Sequence, residues 1–134
     1  MVIVNAIIKK ENKVFTVKRK KDPWKGMYGL PGGHVEKNES NVKALRREVR
    51  EETGFEIEVK ELDFKGSCKL NYFSKGFEVY FYFVKIVSGK EKIQSEEVEE
   101  IKWLDLGDFF DNLREHGLSK KEVDSIKKIV SWLW

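Results

Sequence analysis

Gly33-His34-Val35-Glu36-Lys37-Asn38-Glu39 opens, and Arg47-Glu48-Val49-Arg50-Glu51-Glu52-Thr53-Gly54-Phe55 closes, the stretch whose reading decides how this chain folds. No Gly or Pro interrupts Glu39–Thr53, and Val42, Leu45 and Val49 recur at i, i+3 and i+7. That spacing predicts an amphipathic helix of about four turns. Gly54 stands where a helix C-cap is favoured. Projected at about 100° per residue, the helix carries three faces. Val42, Leu45 and Val49 make an apolar stripe, with a basic flank of Lys43, Arg46, Arg47 and Arg50 on one side. Glu48, Glu51 and Glu52 form an acidic flank on the other.

The acidic flank works against the helix that carries it. Glu48 and Glu52 are a like-charge i, i+4 pair, which costs an isolated helix about 0.2–0.5 kcal/mol. Glu51 and Glu52 also sit near the C-terminus, where the macrodipole disfavours anions. Selection for stability alone would place cations there. Clustered carboxylates become favourable when divalent cations lie between them, and hard oxygen donors suit Mg²⁺ or Mn²⁺.

Around this segment the chain has the composition of one domain, residues 1–134, with a core that needs no disulfide. Hydrophobic residues make up 40% and charged residues 37%, with a net charge of +3, so no basic footprint for nucleic acid stands out. The run Lys18-Arg19-Lys20-Lys21 is either a solvated loop or an attractor of phosphates. Cys68 is the single cysteine, which excludes an internal disulfide and points to a reducing compartment. The N-terminal Val2-Ile3-Val4 passes quickly into polar residues, and no apolar run nears the ~18 residues that span a bilayer. The expected location is cytoplasmic, with no membrane partner.

Period-two patterns predict strands over Val2–Ile8, Val14–Lys18, Ile57–Lys65, Cys68–Phe73, Phe77–Ile86 and Ile101–Leu104. Asp22–Gly33 reads as a loop feeding the helix, and Glu96–Glu100 as an acidic loop. A short helix is expected at Phe109–Leu113. A C-terminal helix opens at Ser119, its stripe formed by Val123, Ile126, Val130 and Leu133. The order predicts an α/β fold, a mixed β-sheet held between helices.

The fixed positions Gly33, Glu39, Arg47-Glu48-Val49, Glu51-Glu52, Gly54 and Phe55 together resemble the signature of the Nudix hydrolases. Typical residue frequencies put a chance match at about one in ten thousand or less. The resemblance extends to Leu30-Pro31-Gly32-Gly33 upstream and to the Glu-rich stretch ending in Trp103-Leu104 downstream. It implies a Nudix α/β/α sandwich with Gly33–Phe55 as its loop–helix–loop. It also implies Mg²⁺-dependent hydrolysis of a pyrophosphate link in a nucleoside diphosphate derivative, with Mn²⁺ as a substitute.

On that resemblance Glu48 and Glu52 are the principal metal-binding carboxylates, Glu51 assists, and the carbonyl of Gly32 is a further ligand. A glycine there lets the backbone approach an ion without a Cβ in the way. One glutamate of the set serves as general base, and the sequence leaves open which. Arg47 can reach Glu51 at i+4 and orient the carboxylates. Glu39 stands at the helix start, where an anion is favoured. A further catalytic and metal-binding glutamate is expected in Ser95-Glu96-Glu97-Val98-Glu99-Glu100, with Glu97 first and Glu96 second. His34 either touches a ligand or is, like His116, an ordinary surface or turn residue. Trp24, Tyr28, Tyr72 and Phe73 are candidates for stacking on a base.

For substrate, the short chain and the Leu-Pro-Gly-Gly approach look most like MutT-like (deoxy)nucleoside triphosphate pyrophosphatases, including those acting on oxidised nucleotides. The proline that often marks ADP-ribose hydrolases some fifteen residues beyond such a box is absent, while Tyr72 falls near the tyrosine of dinucleoside-polyphosphate hydrolases. From other classes stand a nucleotide-binding module without turnover, and an isoprenoid diphosphate isomerase relative for which Cys68 would be the only acid–base thiol.

Overall fold

Phe77, Val79 and Phe81 alternate with Tyr80 and Tyr82, so this segment carries apolar surface on both sides and needs a layer over each. The structure, a computed structural model that describes residues 1–93 and 95–131, supplies both layers. The chain runs through β1 (Val2–Ile7), β2 (Lys9–Lys10), β3 (Lys13–Arg19), β4 (Tyr28–Gly29) and β5 (Gly32–His34) to the first helix, α1 (Asn41–Thr53). Then come β6 (Glu56–Glu58), β7 (Phe64–Tyr72), β8 (Lys75–Phe83), β9 (Lys85–Ser88), β10 (Val98–Asp105), α2 (Leu106–Glu115) and α3 (Lys120–Ser131).

One sheet has the order β5-β1-β8-β7, with β1 and β8 parallel and the other pairs antiparallel. An antiparallel sheet runs β10-β3-β2 with β4 also on β3, and β6 pairs with β9. On one side Val42, Leu45 and Val49 of α1 pack with Val4, Ala6, Phe15 and Tyr82. On the other, Phe109 and Leu113 of α2 and Val123 and Ile126 of α3 pack with Ile7, Phe77, Val79 and Phe81. This is an α/β sandwich whose two cores lie on opposite faces of the sheets.

Several expected boundaries move, each for a local reason. The helix starts at Asn41 rather than Glu39, because Ser40 caps it by accepting a hydrogen bond from the Lys43 N–H at 3.2 Å. Its end is as predicted: Gly54, at φ 78°, donates its N–H to the Arg50 carbonyl. The single strand expected over Ile57–Lys65 is instead β6, a short 3₁₀ turn at Glu61–Asp63 and the start of β7, which then runs through Cys68 to Tyr72. The run Phe77–Ile86 also divides. β8 stops at Phe83, and Lys85 begins β9, which leaves β1 to pair with β6. Asp22–Gly33 contains β4 and the first residues of β5, and the expected acidic loop keeps only its first residues, because β10 begins at Val98. α2 extends beyond Phe109–Leu113 on both sides. α3 opens after Ser119, whose hydroxyl accepts from the Glu122 N–H while the Glu122 carboxylate accepts from the Ser119 N–H, a reciprocal cap. Leu133, expected on the stripe of α3, lies outside the described residues.

Leu45 is fully buried under α1, whereas Lys43 on the same helix is exposed. Leu45→Ala should lower the unfolding free energy by about 2–5 kcal/mol in urea titration. Lys43→Ala should stay within about 0.5 kcal/mol of the parent.

Candidate active site

The site begins where α1 crosses β5. Register pairs Asn5 with Gly32 and Val4 with Gly33, fixing β5 against the central β1. Gly32, at φ 154°, has no room for a side chain, since a Cβ there would fall on the Val4 carbonyl oxygen. A Cβ on Gly33 would collide with the carboxyl of Glu48. Gly32 therefore lets β5 close against β1, and Gly33 leaves room for the Glu48 carboxyl. Glu52 is 7% exposed, and its Oε1 accepts a hydrogen bond from the Gly32 N–H at 2.9 Å. Burial lifts its pKa to about 8, with Glu48 and Glu97 pushing the same way and the Gly32 N–H and Arg19 pushing back. Glu48 is also raised, first by burial and against the pull of Arg47.

Arg47 organises the remaining carboxylates. Its Nε and Nη2 hold both oxygens of Glu39 at 2.8 and 2.9 Å, and its Nη1 donates to Glu48 Oε1 at 2.9 Å. A fourth bond runs from Nη2 to the His34 carbonyl at 3.1 Å. The i+4 partner Glu51 lies at 3.5 Å, so the predicted pair exists but is the longer contact. Paired with Arg47, Glu39 is held down at about 2. Glu39 stands before the helix rather than in its first turn, and its role is to close the fork on Arg47. On the helix Arg47 thus belongs with the acidic flank. Arg46 and Arg50 leave in other directions, to the Val59 carbonyl and to Glu56.

A cavity of about 390 Å³ opens beside these groups. Glu48, Glu52, Glu97, Gly32 and His34 line it, whereas Glu51, Glu96 and Arg47 do not. Glu97 is carried there by a turn: its N–H donates to Ser95 Oγ at 3.0 Å, and its carbonyl accepts the Lys20 N–H at 2.9 Å. From the basic run, Arg19 and Lys21 reach the cavity wall. Arg19 Nε donates to the Pro23 carbonyl at 2.6 Å. Loss of solvation lowers the Arg19 pKa, opposed by Glu52, Glu97 and Asp22. Asn5 lines the floor as well. Sequence reading singled out neither Arg19 individually nor Asn5. Strand alternation in β3 was the signal available for the first, and an amide inside the apolar run Val2–Ile8 for the second.

Of the aromatic candidates, Trp24 lines the cavity, and Tyr72 meets it edge-on at 5.3 Å. Tyr72 donates its hydroxyl to Asp22, another wall residue, at 3.1 Å. Tyr28 lies elsewhere, donating to Glu100 at 2.8 Å. Phe73 is 90% exposed beyond Tyr72. His116 sits at the end of α2 with Nδ1 2.9 Å from the Asn112 carbonyl.

The donors suit a hard divalent cation: carboxylates and a glycine backbone, with a buried carboxylate facing two like charges. Among the described residues no three His, Cys, Asp or Glu side chains are gathered closely enough to hold a metal ion by themselves. The chemistry of the set fits the cation, which would favour the ionised form of Glu52 that burial disfavours.

Comparison with known proteins identifies the family and the fold. The NUDIX domain family model matches residues 1–133. An ADP-ribose pyrophosphatase from Methanocaldococcus jannaschii is 36% identical over 111 residues, covering 78% of this chain and 62% of that protein. The chain therefore spans a little under two thirds of that relative's length. An 8-oxo-dGTP diphosphatase from Buchnera aphidicola subsp. Schizaphis graminum is 37% identical over 107 residues, covering 79% of this chain and 78% of that one. The crystal structure of a MutT NUDIX hydrolase from Burkholderia pseudomallei superposes with a TM-score of 0.73 at 23% identity, over 96% of each chain. That last likeness concerns the fold.

Between its ordinary value of 4.5 and about 8, the Glu52 carboxyl keeps a proton in the folded protein that the unfolded chain has lost. The folded state binds more protons there, so stability falls as pH rises through that window. In EDTA, urea unfolding at a series of pH values should show this decline for the parent and a shallower one for Glu52→Gln. A stability difference between the two that does not change with pH would contradict the burial assigned to this carboxyl.

Proposed function

The chain belongs to the NUDIX family, and from that premise we propose that it is a divalent-cation-dependent hydrolase cleaving a pyrophosphate link in a nucleoside diphosphate derivative. The observation that carries the proposal is Glu52, buried on the Gly32 N–H and facing Glu48 and Glu97 across one cavity. Glu48, Glu52, Glu97 and the Gly32 carbonyl would hold Mg²⁺, or Mn²⁺ in its place, with Glu51 assisting from the exposed side. When bound, such a cation supplies neutralisation of phosphate oxygens and acidification of water.

The remaining work falls to the chain's own groups. Arg47, tied to Glu39, holds Glu48 in one orientation. Arg19 and Lys21 bring positive charge to the cavity wall for the phosphates, and Trp24 offers an aromatic surface for a base. A glutamate of the set takes the proton of the attacking water as the phosphoanhydride opens. The volume of about 390 Å³ lies within the range of small-molecule sites. The single thiol, Cys68, supports a reducing, cytoplasmic setting. Among the described residues no helix is long and apolar enough to cross a membrane.

A (deoxy)nucleoside triphosphate, with oxidised purine forms included, is the first substrate class, in keeping with the Buchnera relative. The Methanocaldococcus relative favours ADP-ribose as the second. Dinucleoside polyphosphates follow from Tyr72, which is bound to the cavity residue Asp22.

A panel of nucleoside triphosphates, their oxidised analogues, ADP-ribose and dinucleoside polyphosphates with Mg²⁺ should give fastest turnover on a triphosphate, releasing pyrophosphate, and none in EDTA. Binding without turnover across the panel would replace the enzyme with a nucleotide-binding module. On the preferred substrate Glu52→Gln should lower turnover about 10²-fold or more, since even groups behind the direct ligands are worth 10–100-fold. Full activity in that variant would remove Glu52 from the metal site.

A further inference from the structure

β1 and β8 run parallel and in register up to Ile7 and Phe83. Beyond that point they separate. The chain after β1 turns into β2 against β3, while the chain after β8 turns into β9 against β6. Parallel strands that part at their carboxyl ends leave a crevice between them, and such crevices are where open α/β sheets bind ligands. Here the crevice is a groove of about 620 Å³, lined by none of the residues of the cavity at Glu52.

Its composition has two parts. Phe83 and Trp103, half-buried, and exposed Ile86 supply apolar and aromatic surface over the buried side chains of Ile8, Phe55 and Val84. Lys9, Lys10, Lys85 and Lys90, all exposed, line it as well, and among the described residues that line it Glu91 is the one acid. Glu91 is already engaged: its Oε1 accepts the Trp103 indole N–H at 2.6 Å, which fixes the indole, and Lys10 Nζ lies 5.8 Å from the indole centroid. Lysines on edge strands such as β2 and β9 also discourage pairing with other chains. That purpose needs no aromatic floor between the strands.

We propose that this groove is a second binding site, for a free nucleoside phosphate whose base lies on the apolar floor and whose phosphate meets the lysines. Aromatic surface beside clustered cations is the combination that holds a base and its phosphate together, and the volume lies in the range of small-molecule sites. A nucleotide held there sits apart from the carboxylates, so the site is suited to sensing nucleotide rather than cleaving it.

The probe is AMP with the full chain in EDTA, followed by ¹H–¹⁵N NMR. AMP should shift the amides of Lys10, Lys85, Ile86 and Lys90 and the indole signal of Trp103. Lys85 and Lys90 are exposed, so Lys85→Glu/Lys90→Glu should fold normally and weaken binding at the groove about tenfold or more. Any shifts at Gly32–His34 should be unchanged in that variant. No groove shifts at millimolar AMP would overturn the proposal, as would groove shifts that the double variant leaves intact. Equal shifts with inorganic phosphate alone would also overturn it, because the floor would then have no part. Because AMP is not cleaved and no metal is present, the outcome is independent of whether the carboxylate site hydrolyses anything.

Discussion

Everything at the carboxylate site depends on one buried charge. Glu52 is removed from water where α1 crosses β5, and a single backbone N–H, that of Gly32, is its short hydrogen bond. An ionised carboxylate in such a place is costly unless it is paired. Here its neighbours Glu48 and Glu97 add to the cost, and Arg19 offsets only part of it. Burial accordingly raises the pKa of Glu52 to about 8. A divalent cation would act the other way, by making the same clustering favourable.

Around that charge, the chain spends structure on keeping two glutamates close to a strand. Gly32 and Gly33 lack the Cβ atoms that would strike the Val4 carbonyl and the Glu48 carboxyl. Arg47 counterbalances the cluster from outside the cavity, taking Glu39 in a two-pronged grip while one nitrogen steers Glu48. A fixed cation behind Glu48 leaves its other face free for the cavity. Removing Glu39 would free Arg47 to choose among Glu36, Glu48 and Glu51, all within 3.7 Å. The fixed spacing of Glu39 and Arg47 in the sequence thus acts through orientation.

The helix and its cap were legible in the sequence because a 3.6-residue period and a glycine stop are local signals. So was the covering of β8 on both faces, read from Phe77, Val79 and Phe81 opposite Tyr80 and Tyr82. The break between β8 and β9 was not. Apolar residues continue through Val84 and Ile86, and only the change of partner from β1 to β6 separates the strands. At the cavity, the clustering of Glu48 with Glu52 was legible from their i, i+4 spacing, whereas Glu97 was an expectation of the family resemblance. Arg19 was hidden in a basic run because strand alternation, not residue type, turns it inward while Lys20 remains exposed. The reason for Gly33 was hidden as well, since it is a steric matter between residues fifteen apart.

The most direct test is where a divalent cation sits. Mn²⁺ added substoichiometrically to ¹⁵N-labelled protein broadens amide signals by proximity, with no dependence on substrate. Broadening centred on Gly32–His34, Glu48–Glu52 and Glu97 is the result that a cation held by the buried carboxylates predicts. Broadening centred instead on the exposed acids of α2, such as Asp108 and Asp111, with the Gly32 and Glu52 signals intact, would contradict it.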